Sequence, residues 1–292
     1  MGYGPHPAKG EWLLFLHADS RFADESAFRK GLQALRDETE KRGDELAAGR
    51  FALRFDLPQG GPAFGYAFCE GKARLGRPGG ILGDQGLLLS RQFFQIVGPF
   101  DESLPVGEDV LLAERIRACG RFLILPAEIF TSPRRFVTEG YRQRQTLNAM
   151  IMGLLFAGHA GILNALPGIY QTQDHSRPLN LEPFFREIAA MIGRFPVRER
   201  LVFWYRIGSY VRSNAWQLAY ALDARRNCRR GLKAGEGEAL LLARYDRYLD
   251  RLTDHPPGRL LTAGVVWLWF SLARHWLRLR EGEGEKEKRA GR

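Results

Sequence analysis

Short apolar runs alternate with charged stretches along the first half of the chain. The continuous run from Trp12 to Leu16 predicts a strand buried on both faces, as in an α/β sheet that helices cover. Sparse apolar positions over residues 24–46 predict an exposed amphipathic helix, which Gly43 interrupts. Alternation over residues 50–57 predicts a half-buried strand, and the Pro- and Gly-rich residues 58–62 predict a loop that ends it.

The same alternation of elements continues to about residue 137. We expect helices over 63–75, 91–97 and 110–119, and strands over 87–89 and 122–125. Ser90 is the expected N-cap of the second of these helices, and Gly120 the expected C-cap of the third. Residues 1–137 therefore predict an α/β module.

The pattern changes after this module. Residues 145–173 contain no Asp, Glu, Lys or Arg, and this stretch is long enough to span a bilayer. Its Asn, His, Pro and Gly residues equally suit a buried or interfacial helical hairpin, so both alternatives stay open. Residues 138–175 thus form one predicted segment, uncharged and helical, for which membrane association is one of the two alternatives.

The remaining chain is basic and rich in aromatic residues. Aromatic side chains and arginines are interleaved over 201–222 and 260–280, which predicts a helical region over 176–280. The tail over 281–292 alternates Glu and Lys with Gly, and we expect it to be disordered.

Charge is distributed as unevenly as hydrophobicity. The 292-residue chain has a net charge of +10, with 45% hydrophobic and 26% charged residues, which excludes disordered and fibrous classes. Residues 1–175 hold 20 basic and 20 acidic side chains, so the whole excess lies in residues 176–292. This asymmetry predicts a neutral module followed by one that meets an anionic surface, either nucleic acid or anionic lipid.

The three widely spaced cysteines give neither a disulfide framework nor a zinc site. We therefore expect the protein in the reducing cytoplasm, with a peripheral position at the inner membrane as the alternative. The N-terminal sequence has no apolar core after a basic start, so it does not predict a signal peptide.

Two acidic groups are candidates for chemistry. Asp19 follows the first predicted strand, at the end of an α/β sheet where ligands bind, and a carboxylate there suits Mg²⁺ or Mn²⁺. Position alone favours the plainer alternative that Asp19 caps a following helix. Glu108 and Asp109 open a predicted helix, where they could serve as caps or supply a general base toward a hydroxyl.

Two further groups could contact a substrate. The glycine-rich segment that contains Gly83, Asp84 and Gln85 offers donors and acceptors suited to sugar hydroxyls. Arg134 and Arg135 follow the last predicted strand and could clamp a diphosphate. Taken singly, each group also fits a solvated turn.

The order of these groups resembles a known family. GEWLLFLHADSRF, then GDQGLLLSRQFFQIVGPFDESLPVGEDVLLAERIRACG, then TSPRRFVTEGYRQ resembles the family-2 glycosyltransferases of GT-A fold, over about residues 8–170. The likeness is greatest to a bacterial subfamily associated with radical-SAM and selenium-related gene neighbourhoods. It implies a partial GT-A, Rossmann-like sheet with helices, followed by a mainly α-helical C-terminal region.

The resemblance also implies residue roles. Asp19 would bind Mn²⁺ or Mg²⁺ beside the diphosphate of a nucleotide sugar, although His17 stands where the family has the first acid of its DXD motif. The segment Gly83–Gln85 would shape the sugar pocket, and Arg134 and Arg135 would stabilise the leaving diphosphate. The Glu108-Asp109 pair corresponds to the family's ED motif, whose aspartate, here Asp109, would be the general base of an inverting transfer.

One departure from the family is large. Members begin with about ninety further residues that hold the nucleotide, and no part of this chain resembles them. We expect a misassigned start, a separate chain that supplies the missing half, or a degenerate remnant. As given, the chain is then expected to bind a nucleotide sugar poorly.

Three functions compete on these grounds. The first is a metal-assisted inverting glycosyltransferase at the cytoplasmic membrane face, which transfers sugar to a hydroxyl acceptor. A lipid or an envelope-linked molecule is the candidate acceptor. The second is a catalytically impaired, truncated transferase that acts as a membrane-surface or partner-binding protein. Nucleic-acid binding by the basic region is the least favoured, because the aromatic residues recur at helical spacing.

Overall fold

The computed structural model describes residues 8–57, 63–80, 83–174 and 176–290, so the predicted loop over 58–62 lies outside the described residues. The chain forms two compact units. The first comprises Met1–Ser103, Glu108–Pro133 and Tyr220–Ala239, and the second Leu104–Gly107, Arg134–Ala219 and Leu240–Arg292. The first unit thus also takes in residues 220–239, which the sequence assigns to the basic region.

The first unit is of mixed α/β class and is built on one five-stranded sheet. Its strands are β1 (Trp12–Phe15), β2 (Ser20–Phe22), β3 (Ala47–Phe55), β4 (Leu87–Ser90) and β5 (Arg121–Thr131). The strand order is β1-β4-β3-β5-β2, and only β3 and β5 run parallel to each other. Four helices accompany the sheet: α1 (Ala27–Arg42), α2 (Ala63–Ala73), α3 (Arg91–Val97) and α4 (Glu108–Cys119).

Strand β1 exists as predicted, but the prediction that it is buried on both faces is wrong. Among the described strands it pairs only with β4, so it lies at one edge of the sheet. Of its four residues only Leu13 is buried. The central position belongs to β3, whose first four residues are all buried because β4 and β5 flank it.

The alternation predicted for β3 is confirmed in its second half. Phe51, Leu53 and Phe55 are buried, and Phe51 packs with Leu35 of α1 and Leu125 of β5 in a core on one face of the sheet. Each such side chain contributes roughly 2–3 kcal/mol by leaving water.

Strand β5 is longer than the sequence predicts because it continues through a bulge. Phe51 pairs with Leu125, whereas the next residue of β3, Ala52, pairs with Glu128. Pro126 and Ala127 are therefore left out of the ladder, as expected where a proline cannot donate a backbone hydrogen bond.

The predicted N-cap of α3 is confirmed, whereas Gly43 and Gly120 have roles that differ from the predicted ones. Ser90 Oγ accepts a hydrogen bond from the backbone N–H of Phe93 at 3.0 Å, as expected of the N-cap of α3. Gly43 ends α1 in the left-handed region (φ +69°) and does not interrupt it. Gly120 is not a left-handed cap. A Cβ there would lie 2.3 Å from the carbonyl oxygen of Leu46, so this position needs glycine for a close backbone approach.

The second unit is helical. Its helices are α5 (Arg134–Glu139), α6 (Tyr141–Ala157), α7 (Ala160–Gln171), α8 (Glu182–Gly193), α9 (Val197–Ser213), α11 (Leu240–Arg244), α12 (Asp250–Thr253) and α13 (Pro256–Ala290). Helix α10 (Trp216–Arg229) passes from this unit into the first, and a π-helical turn, Tyr245–Leu249, connects α11 to α12.

Helices α9 and α13 approach each other closely where Gly208 faces Ala263. A Cβ on Gly208 would lie 2.5 Å from the backbone nitrogen of Ala263. Near the end of α9, the buried guanidinium of Arg212 forms ion pairs with Asp250 at 3.0 Å and Asp254 at 3.5 Å.

The uncharged stretch over 145–173 forms parts of two helices, α6 and α7, with Gly158 as the left-handed cap of the first. Within the described ranges, no helix combines the length and the apolar character needed to cross a membrane. The tail beyond residue 280, predicted to be disordered, continues α13 as far as Ala290.

Candidate functional site

His17 and Asp84 are brought together by the pairing of β1 with β4. Phe15 at the end of β1 lies opposite Leu87 at the start of β4. The chain leaving β1 therefore runs beside the chain entering β4, and His17 Nδ1 lies 3.5 Å from Asp84 Oδ1. Both side chains are about one-third exposed, at 34% and 35%, so a ligand can reach them.

The second ring nitrogen of His17 is unsatisfied. Nε2 is buried and has no hydrogen-bond partner in the described part of the chain. An imidazole with one nitrogen beside a carboxylate and the other unpaired is suited to exchange a proton or a hydrogen bond with a ligand.

Asp109 supplies a second carboxylate near this histidine. It lies in the first turn of α4, where its Oδ1 accepts a hydrogen bond from the backbone N–H of Val110 at 2.9 Å. Burial raises the pKa of Asp109, and the adjacent Glu108 carboxylate raises it further, whereas the nearby His17 acts in the opposite direction. A carboxylate whose pKa is raised toward neutrality is a better general base than an ordinary one.

Asp19 does not cap a helix. It lies, exposed, in the turn between β1 and β2, which is closed by a 3.1 Å hydrogen bond from the backbone N–H of Ser20 to the carbonyl of His17. Helix α1 begins only at Ala27, and the carboxylate beside its N-terminus is that of Asp24.

A divalent metal needs several oxygen, nitrogen or sulfur donors grouped around one point. Among them, no three or more His, Cys, Asp or Glu side chains are grouped so as to hold a metal ion. The assignment of Asp19 to Mn²⁺ or Mg²⁺ stays a prediction from the resemblance.

The segment Gly83–Gln85 forms a 3₁₀ turn that presents Asp84. Gln85 is 1% exposed, and its Nε2 donates to the carbonyl oxygen of Phe51 at 3.3 Å, so its side chain anchors the turn to β3. Gly86 follows in the left-handed region, at φ +66°, close to Leu16.

Arg134 and Arg135 are the first residues of α5, in the second unit, and both are exposed. Within that unit, Arg135 lies near Tyr170, whose hydroxyl donates to the buried carboxylate of Glu139. Of the predicted site residues, the structure brings together Asp84 and Asp109 near His17, and Glu108 is the chain neighbour of Asp109.

A buried cation in the first unit was not predicted from the sequence. Arg50 is 2% exposed, its Nη2 donates to the carbonyl of Ala73 at 3.2 Å, and its Nη1 has no partner among the described residues. The guanidinium groups of Arg50 and Arg117 lie 5.5 and 5.4 Å from the ring centre of Phe122. Burial, together with the Arg117 cation, lowers the pKa of Arg50 to about 9. The sequence indicates the burial of Arg50 only through its position in a predicted strand.

Comparisons with protein families, curated proteins and solved structures found no match to this chain.

Proposed function

We propose that the first unit is the catalytic part of an inverting glycosyltransferase of GT-A type, which transfers a sugar from a nucleotide sugar to a hydroxyl acceptor. The observation that carries this proposal is the convergence of His17, Asp84 and Asp109. These residues belong to three separate motifs of the resemblance, and β1, β4 and α4 bring them into one group.

Asp109 is the general base in this proposal. Its carboxylate takes the proton of the acceptor hydroxyl, and the hydroxyl oxygen forms a bond to the anomeric carbon of the donor. The bond from that carbon to the diphosphate oxygen breaks, and the diphosphate leaves with the electron pair. Attack opposite the leaving group inverts the configuration. The raised pKa of Asp109 supports this role.

His17 stabilises the leaving group in the same proposal. Asp84 lies beside Nδ1 and orients the imidazole, and the partly exposed ring then contacts an oxygen of the diphosphate.

The stereochemistry of transfer tests the reaction class. The full chain is incubated with a panel of nucleotide sugars, and the anomeric proton of the released or transferred sugar is followed by NMR before mutarotation. Inverted product is expected. Retained configuration, or failure to turn over any donor of the panel, would contradict the proposal.

A membrane-surface protein built on an impaired transferase is the second candidate. It is favoured by the long helix α13, whose outward residues include several leucines that are more than half exposed. We propose peripheral association with an anionic membrane through this helix, whether or not the first unit is catalytic.

A further inference from the structure

A cavity of about 410 Å³ lies wholly within the second unit, between α8, α9 and α13. Its walls combine aromatic rings with basic side chains, and no carboxylate lines it. The basic residues are Arg200, Arg274, His275 and Arg278.

The three arginines carry uncompensated charge. In the described ranges, none of them forms an ion pair, although the chain has acidic residues elsewhere on the same helices. Arg274 has in addition a buried Nε that finds no hydrogen-bond acceptor among the residues that the structure describes. A buried N–H donor on a guanidinium normally has an acceptor. The missing acceptor here is therefore expected to be an anionic oxygen of a ligand.

Aromatic rings form the apolar part of the wall. Trp204 lies 5.6 Å from Phe270 between ring centres, and Phe270 stacks on Phe185 at 5.0 Å. These rings fix the backbone of α13 against α8 and α9, so the arginines project from a rigid surface.

An apolar stripe borders the cavity along α13. Its residues recur at i+3 and i+4 spacing and are 51–72% exposed, on the side of the helix away from the buried Ala263 and Phe270. They are Leu261, Val265, Leu268, Leu272, Trp276 and Leu279. Leu268 and Leu272 are each one turn from the cavity residues Ser271 and His275.

We propose that this cavity binds the phosphate group of an anionic membrane lipid. The phosphate oxygens accept from Arg274, Arg278 and Arg200, and the acyl chains lie beside the stripe, which enters the apolar region of the bilayer. This inference rests on the proposed membrane association and is independent of glycosyl transfer. It adds a specific headgroup site to a general attraction between charges.

The apolar stripe favours a lipid over the other phosphate ligands. A nucleic-acid strand would place further phosphates and bases along α13, where five of the six stripe residues are leucine or valine and offer neither charge nor a stacking platform. Inorganic phosphate would use the arginines but leave the stripe in water.

The experiment is titration of the full chain with monomeric dihexanoyl phosphatidic acid, followed by tryptophan fluorescence and calorimetry. Inorganic phosphate, dihexanoyl phosphatidylcholine and a short oligothymidylate are titrated in parallel. Arg274→Gln and Arg278→Gln remove charges in the cavity. Arg280→Gln removes the same charge from the same helix outside the cavity, where this guanidinium stacks on Trp276.

The short-chain phosphatidic acid is expected to bind, with affinity reduced roughly tenfold or more in each cavity variant and less than about twofold in Arg280→Gln. Inorganic phosphate is expected to bind at least about tenfold more weakly than the lipid. Equal losses in all three variants, or tighter binding of inorganic phosphate or the oligonucleotide, would overturn the proposal. Circular dichroism identifies a variant that has unfolded, and the other cavity variant then decides.

Nucleotide-sugar turnover does not enter this test, so failure of the catalytic proposal leaves its result unchanged. Flotation with anionic vesicles separates the claim of a headgroup site from the claim of membrane association. Flotation without binding of the short-chain lipid would overturn the headgroup site alone, whereas loss of both would overturn the membrane association as well.

Discussion

His17 Nδ1 lies 3.5 Å from Asp84 Oδ1, although the two residues belong to motifs far apart in the chain. The antiparallel register of β1 and β4 sets this distance. Phe15 pairs with Leu87, His17 comes two residues after Phe15, and Asp84 comes three residues before Leu87. Asp109 joins them from the start of α4, close enough for His17 to affect its pKa. The proposed chemistry depends on this group.

Asp109→Asn is expected to stabilise the fold at neutral pH. Because its pKa is raised in the folded state, the ionised carboxylate costs stability, and that cost grows as pH rises from the ordinary carboxyl range through the folded pKa. We expect a gain of about 1 kcal/mol at pH 7 that vanishes at acidic pH. Urea denaturation at several pH values measures it.

Asp101→Asn is the matched control for this prediction. Hydrogen bonds from Ser103 lower the pKa of Asp101, so its charge favours the folded state above the ordinary carboxyl range. The variant is therefore expected to lose a little stability at pH 7. A gain in both variants, or a loss in Asp109→Asn, would show that Asp109 does not occupy the environment described above.

Much of the local structure of the first unit follows from the sequence, whereas the site depends on contacts between distant segments. Ser90 predicts its helix cap because the signal lies within four residues. The edge position of β1 and the meeting of His17 with Asp84 depend on strand order, which the pattern of one segment does not contain. The sequence predicts a helix cap at Gly120. The structure shows instead that the nearby carbonyl of Leu46 leaves no room for a side chain at this position.

Arg50→Met is expected to stabilise the first unit. Arg50 is buried without an acidic partner in the part of the chain that the structure describes, and an apolar side chain of similar length avoids the cost of burying that charge. We expect a gain of about 1 kcal/mol or more at pH 7 from denaturant unfolding.

The pH dependence of this gain gives an internal check. The pKa of Arg50 is lowered to about 9, so the cost is present below that pH and falls as pH rises toward the ordinary arginine value. The advantage of Arg50→Met should shrink above about pH 9. Arg54 lies on the same strand as Arg50 and forms a half-exposed ion pair with Glu128 of β5. Arg54→Met, which removes this pair, is expected to be neutral or slightly destabilising. Loss of stability in Arg50→Met at pH 7 would contradict the interpretation.

Gly208→Ala is expected to separate α13 from α9. The added methyl would lie 2.5–2.6 Å from three atoms of Ala263, two of them backbone atoms, so the helices must move apart. A loss of roughly 2–3 kcal/mol is expected in thermal or denaturant unfolding. Gly264→Ala, on the adjacent residue of α13, meets open space and is expected to add up to about 1 kcal/mol of stability. Similar effects in the two variants would refute the close crossing.

The apolar stripe of α13 is expected to determine membrane association. Leu268→Ser combined with Leu272→Ser removes two half-exposed leucines from the stripe and should reduce flotation with anionic vesicles by roughly tenfold or more. The control pair, Leu218→Ser with Leu222→Ser on α10, changes two leucines at the same spacing that are 74% and 57% exposed. Equal flotation of the two double variants with the vesicles would contradict a role for the stripe.

The central claim is that Asp109 is the base of a glycosyl transfer, and nucleoside diphosphate release measures it most directly. Wild type, Asp109→Asn and Asp101→Asn are assayed side by side with each nucleotide sugar of a panel. The account predicts that Asp109→Asn lowers turnover roughly a hundredfold or more, while Asp101→Asn stays within about twofold of wild type. Turnover by Asp109→Asn equal to that of the wild type would contradict it.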